Sequence, residues 1–217
     1  MTDFATRRRT MVDTQVRPSD VTKFPIIDAM LTVKRENFVP NAQREAAYAE
    51  GIIDLGNGRC MLEPRTLAKM LDALNISNDE VVLDIAPALG YSTAVAARMA
   101  QLVVAVEEDE DLATEAQTTL SEADADNAIV HVGPLADGAN EHGPYDVIMI
   151  QGGVEQVPQA LTDQLKDHGR IACLFVEGEL GTVRIGHKSG DRVTWRHAFN
   201  ANAPVLQAFC AECAFSL

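Results

Sequence analysis

Apolar positions fall into two regimes along the chain. From residue 80 onward, short uninterrupted apolar runs alternate with segments whose apolar residues return every three or four positions. The runs are "EVVLDIA", "LVVAVEED", "NAIVHVG", "YDVIMIQGG" and "GRIACLFVEG". Between them, "YSTAVAARMA", "EDLATEAQTTLSEA" (Leu112, Ala116 and Leu120 on one side) and "VPQALTDQL" have helical spacing. Runs that are apolar throughout predict strands buried on both faces, and strand–helix alternation predicts a doubly wound, mostly parallel α/β sheet. "TVRIGHK" and "RVTWRHAF" follow with only a Ser-Gly-Asp turn between them. They predict an antiparallel C-terminal hairpin at the edge of a seven-stranded sheet.

Before residue 76 the pattern is helical and irregular. Residues 1–10 are polar and are expected to fray. Ser19 or Asp20 can cap a helix bearing Phe24, Ile27, Met30 and Leu31, with Pro25 in its first turn. "VKRENFVP" reads as a loop ending at Pro40, and "NAQREAAYAE" as a short helix or turn. Gly-Asn-Gly in "GIIDLGNGRCMLEP" signals a turn. Pro64 opens a helix with Leu67, Met70, Leu71 and Leu74 on one side. A single domain over 1–217 is expected: an N-terminal helical cap over 1–75, packed over the ligand-binding edge of a Rossmann-like sheet core over 76–217.

The net charge of −14 argues against nucleic acid as a partner, because a phosphate backbone needs a basic surface. No apolar run approaches the roughly 18 residues that span a bilayer, and nothing resembles a secretory signal, so no membrane partner and a cytoplasmic location are expected. Cys60 and Cys173 sit among apolar residues as core fillers. Cys210 and Cys213 form a lone C-x-x-C without a second pair, and the five histidines lack ligand spacing, so no metal is expected.

In an open parallel sheet, ligands bind beyond the carboxyl ends of the strands. Three such ends carry candidates. Asp84 leads through "IAPALGY" into a helix, a turn that can cradle a ribose or an amino-acid tail with Gly90 allowing close approach. Glu107 ends the next strand, where an acid can accept hydrogen bonds from two ribose hydroxyls; no basic residue stands there to receive a 2′-phosphate. "VGPLADG" follows the third strand, with Asp137 a few residues late. Tyr91 can line the turn or simply pack, Arg65 suits the helix surface better than an acceptor, and Trp195 suits packing in the hairpin.

Together "AMLTVKRENFVP", "AYAEGIIDLGNGRCMLEPRTLAKML", "VVLDIAPALGYSTAVAARMA", "VVAVEED" and "GPYDVIMIQGGVEQVPQALTDQLKDHGRIA" resemble the protein-L-isoaspartate O-methyltransferase family, class I S-adenosylmethionine-dependent enzymes. The resemblance implies S-adenosylmethionine at Asp84, Ala86, Gly90, Tyr91, Glu107 and Gly133. It implies a substrate loop of Gly58, Arg59, Cys60 and Pro64, isoaspartyl proteins or peptides as partners, and a monomer or homodimer. The departures fall on functional positions. Leu62 stands where the family has a serine thought to contact the substrate carboxylate. Arg59 replaces a glutamine, Ala86 and Ala88 replace turn glycines, and Gly133-Pro134-Leu135 replaces Gly-Asp-Gly. Three readings follow: repair methylation of isoaspartyl carboxyl groups, a non-catalytic relative with a degenerate cofactor site, or a methyltransferase with another acceptor.

Overall fold

The computed structural model describes residues 3–211. The chain begins with helix α1 (Phe4–Met11), where fraying was expected. The Asp3 side chain caps it by accepting from the Thr6 amide at 2.7 Å. Its arginines hid the reason for order, because their partners lie far along the chain. Arg8 is buried, donating to the Tyr48 hydroxyl at 2.9 Å and pairing with Glu36 at 3.2 Å. The chain continues through a π-type turn (Val12–Val16) and a 3-10 turn (Arg17–Ser19), after which Asp20 takes a left-handed conformation. The N-cap of helix α2 (Phe24–Thr32) is therefore Lys23 rather than Ser19 or Asp20, with Pro25 in its first turn as expected.

The Gly-Asn-Gly turn closes an antiparallel hairpin of β1 (Ile53–Gly56) and β2 (Arg59–Met61). Helix α3 (Pro64–Leu74) opens at Pro64 as the sequence predicts and ends at Asn75 in a left-handed cap. Then come β3 (Val81–Ile85), α4 (Tyr91–Ala97), β4 (Leu102–Glu107), α5 (Glu110–Glu122), β5 (Ala128–Val132) and β6 (Tyr145–Val154). The short α6 (Gln159–Asp163) and the strands β7 (Leu165–Glu177), β8 (Leu180–Ser189) and β9 (Arg192–Asn200) follow.

The main sheet has seven strands in the order β5-β4-β3-β6-β7-β8-β9. Strands β3 to β7 pair in parallel, while β8 and β9 join antiparallel, as the missing crossover helix requires. Alternate residues of each central strand feed two cores. Val82, Val103, Val147 and Ala172 pack beneath α2 to α5. Leu83, Val104, Ile148 and Ile171 face Leu135, Tyr145, Leu161, Leu206 and Phe209 on the other side. The chain lays strands to one side from β3 to β4 to β5, then returns to place β6 on the other side of β3. The order reverses between β3 and β6, which marks the crevice for a ligand. Trp195 packs edge-on against Phe175 at 5.0 Å, consistent with a packing role.

Candidate functional site

The turn after β3 is held in glycine-like backbone by residues that are not glycine. Ala86 has φ 59° and Ala88 has φ 52°, both left-handed, and Gly90 follows at 92°. An L-residue in that region costs about 1 kcal/mol, so the surroundings impose the shape. One constraint is Asp84, fully buried at the end of β3. Its Oδ2 accepts from the Ser92 and Thr93 hydroxyls at 2.6 and 2.7 Å, and its Oδ1 accepts from Gln151 Nε2 at 2.7 Å. Asp84 thus ties β3 to the first turn of α4 and to β6 instead of facing the crevice. Burial pushes its carboxyl up to about 6, against the downward pull of these three hydrogen bonds. A polar glutamine at the carboxyl end of the apolar run "YDVIMIQGG", and paired hydroxyls directly after Gly90-Tyr91, are the sequence signals for this network.

Glu107, at the end of β4, is completely buried, and its partner is Arg59. Arg59 Nε donates to Glu107 Oε1 and Oε2 at 3.0 and 3.1 Å, and Nη2 donates to Oε1 at 2.8 Å. The same Nη2 reaches Glu108 at 2.9 Å. Burial disfavours the Arg59 charge, but the bond and charge of Glu107 outweigh it, and the guanidinium is held above its ordinary value. Glu107 Oε1 also accepts from the Glu108 and Asp109 amides at 2.9 and 3.2 Å. Asn57, at the hairpin tip, donates to Asp109 at 2.8 Å, and Asp109 in turn caps α5. The β1–β2 hairpin is thereby fastened to the β4–α5 corner. No basic residue neighbours Glu107 in sequence, yet the fold supplies one from β2, earlier in the chain.

The predicted substrate loop forms the roof of the same crevice. Cys60 and Leu62 are buried, and burial pushes the Cys60 thiol up to about 11. Arg35, wholly buried, donates from Nε to the Ala47 carbonyl at 2.7 Å and from Nη2 to the Leu62 carbonyl at 2.8 Å, which fixes the loop. Its guanidinium lies over the Tyr91 ring at 4.7 Å, and Phe38 meets that ring edge-on at 5.7 Å. Tyr91 is thus packed, with its hydroxyl unpartnered. Gly58 is an exposed left-handed residue at the hairpin tip, and Gly133 lies beneath the His131 ring, its amide donating to the Glu107 carbonyl at 3.1 Å. Asp137 instead uses its carbonyl to hold Gln164.

Cys60, Met61, Leu62, Leu67, Pro87, Tyr91, Ser92 and Gln151 enclose a hollow that admits water centres over only about 10 Å³, space for one water. Cofactor pockets run to hundreds of Å³. That hollow lies between the substrate loop and the turn, and Arg59 is paired with the acid a ribose would need. Cys210 is exposed, and Cys213 lies outside the described residues.

A seven-stranded sheet with an antiparallel C-terminal edge, a strand-to-helix turn after β3 and an acid ending β4 is consistent with a class I methyltransferase fold. The family model for protein-L-isoaspartate(D-aspartate) O-methyltransferase matches residues 7–196, and the chain belongs to that family. It is 35% identical to the protein-L-isoaspartate O-methyltransferase of Opitutus terrae over 164 residues, covering 76% of this chain and 70% of that one. It is 33% identical to the Roseiflexus castenholzii protein of the same name, covering 78% and 77%. Among solved structures, a protein-L-isoaspartate O-methyltransferase superposes with TM-score 0.80 at 22% identity, covering 92% of this chain and 65% of that chain. A Plasmodium falciparum structure described as a β-aspartate methyltransferase in complex with S-adenosyl-L-homocysteine gives 0.79 at 16%, covering 96% and 100%. These two likenesses show the fold. No helix among the described residues is long and apolar enough to cross a membrane.

Proposed function

We propose that this chain is an S-adenosylmethionine-dependent O-methyltransferase acting on isoaspartyl carboxyl groups of damaged proteins, and that the Arg59–Glu107 pair acts as a latch over its cofactor crevice. The observation that carries the reading is one juxtaposition. A turn after β3 in which Ala86 and Ala88 hold glycine-like backbone, at the sheet's switch point, adjoins β4, whose last residue is Glu107. Similarity to repair methyltransferases over most of the chain supports the reaction class. Access of a cofactor ribose to Glu107 requires the Arg59 side chain to leave it. Leu62 offers no hydrogen bond to an acceptor carboxylate, so acceptor positioning rests on backbone and shape. The test is transfer of a labelled methyl group to an isoaspartyl peptide, with the matched aspartyl peptide as control. Transfer to the isoaspartyl peptide alone supports the reading, and none at saturating cofactor overturns it.

One observation favours a second reading. The Arg59–Glu107 pair satisfies the acid from within, which suits a non-catalytic relative that has filled its own site. Cofactor binding after removal of Arg59 separates the two readings.

A further inference from the structure

The structure assigns a binding site for a divalent transition cation to His131, Glu141 and His142. His131 lies on β5, and the other two lie on the 3-10 turn Asn140–His142 that returns toward it. His131 Nδ1 stands 3.3 Å from Glu141 Oε1, and His142 Nε2 stands 3.4 Å from the same oxygen. The three ligand atoms all lie within 4.8 Å of one another. Donors bound at about 2.0–2.1 Å to one tetrahedral ion stand about 3.4 Å apart. Both distances match that edge and are long for a charge-assisted hydrogen bond, which closes to about 2.7–2.9 Å.

Hydrogen bonds hold the backbone that carries these groups. A Cβ on Gly133 would meet His131 Nε2 at 3.0 Å, so the ring is seated over Gly133 with Nδ1 toward Glu141. The turn is pinned from behind: Gln164 accepts from the Ala139 amide at 3.0 Å and donates to the Asp137 carbonyl at 2.7 Å, and the Tyr145 hydroxyl donates to the Ala139 carbonyl at 2.6 Å. The His131 and His142 rings meet edge-on at 5.7 Å between centroids, with both side chains and Glu141 partly open to solvent. Two imidazoles and one carboxylate suit a borderline ion such as zinc rather than calcium or magnesium, and leave a position open to solvent. Bound there, the ion clamps the turn that follows "VGPLADG" onto the edge strand. The proposal does not depend on whether the crevice at Glu107 takes a cofactor.

Titration of the untagged, chelator-treated full chain with zinc chloride by calorimetry tests it, together with His131→Ala, the isosteric Glu141→Gln, and a Cys210→Ser/Cys213→Ser protein. One equivalent should bind in the wild type and in the cysteine-free protein. Binding should weaken roughly tenfold or more in His131→Ala and Glu141→Gln, and zinc should raise the thermal midpoint of the wild type but not of those variants. Absence of a one-equivalent event, full-strength binding in both variants, or loss of binding only with the cysteines would each overturn the proposal.

Discussion

Replacing Arg59 should open the crevice and tighten cofactor binding. The guanidinium makes a bidentate contact to a carboxylate with no exposed surface, plus one contact to half-exposed Glu108. A charged hydrogen bond is worth about 1.5–3 kcal/mol net, and desolvation of the pair offsets part of the total, so the latch holds by about 3 kcal/mol. At 1.4 kcal/mol per tenfold, the open state is populated to about one part in 150, and apparent cofactor affinity falls by that factor. Arg59→Ala should therefore bind S-adenosylhomocysteine roughly 100-fold more tightly than the wild type in calorimetry at pH 7.5. Without ligand the same variant strands a buried carboxylate and should lose about 3–5 kcal/mol of stability, which saturating ligand partly restores. Arg59→Met, which keeps bulk and removes charge, guards against a failure to fold. Micromolar binding by the wild type with no gain in either variant refutes the latch. Folded variants that bind no cofactor at all refute the methyltransferase reading and favour the filled-site alternative.

Other expectations follow from the same geometry. Gly90→Ala should destabilise by about 1–3 kcal/mol in urea unfolding, because its φ is 92° and a Cβ would meet Leu120 Cγ at 3.2 Å. Ala86→Gly should be neutral within about 0.5 kcal/mol, since relief of left-handed strain offsets loss of a buried methyl; a cost near 2 kcal/mol would show the turn to be unstrained. Asp84 titrates at about 6 when folded, above its unfolded value of 3.8, so the native state keeps its proton longer. Its contribution is fully present below pH 3.8 and is lost as pH rises through 6, a change of about 3 kcal/mol. The stability difference between wild type and Asp84→Asn, read by urea unfolding from pH 4 to 7, should move by about 2.4 kcal/mol, and a flat difference would contradict the assignment.

The sheet was legible because its central strands are apolar on both faces, as Val82 with Leu83 and Val103 with Val104 illustrate. The strand-end acids were legible for the same reason: Asp84 and Glu107 each interrupt an apolar run. What those acids touch was not legible. Arg59 reaches Glu107 across 48 positions, and Arg8 reaches Tyr48 across 40, and neither separation leaves a periodic trace. For the same reason the polar start of the chain predicts fraying over residues 1–10, and His131 and His142 show no ligand spacing in the sequence. Each belongs to an element whose own pattern is complete without it, and only the return of the chain brings them together.

The Asp84 network gives the turn a structural duty of its own, because Ser92, Thr93 and Gln151 need the acid whether or not a ligand is present. Glu107 receives two amides of the β4–α5 corner, but its only side-chain partner among the described residues is the arginine that covers it. A buried ion pair replaced on both sides by apolar residues of similar volume is commonly neutral or stabilising, by up to about 1–4 kcal/mol, whereas removal of one side is costly. The double substitution Arg59→Met/Glu107→Leu should therefore match or exceed wild-type stability in urea unfolding while abolishing cofactor binding even in the absence of the latch. The pair would then be kept for what Glu107 holds when Arg59 leaves. A double variant that loses more than about 3 kcal/mol would instead make the pair part of the frame, fastening the hairpin to the β4–α5 corner as Asn57 does through Asp109.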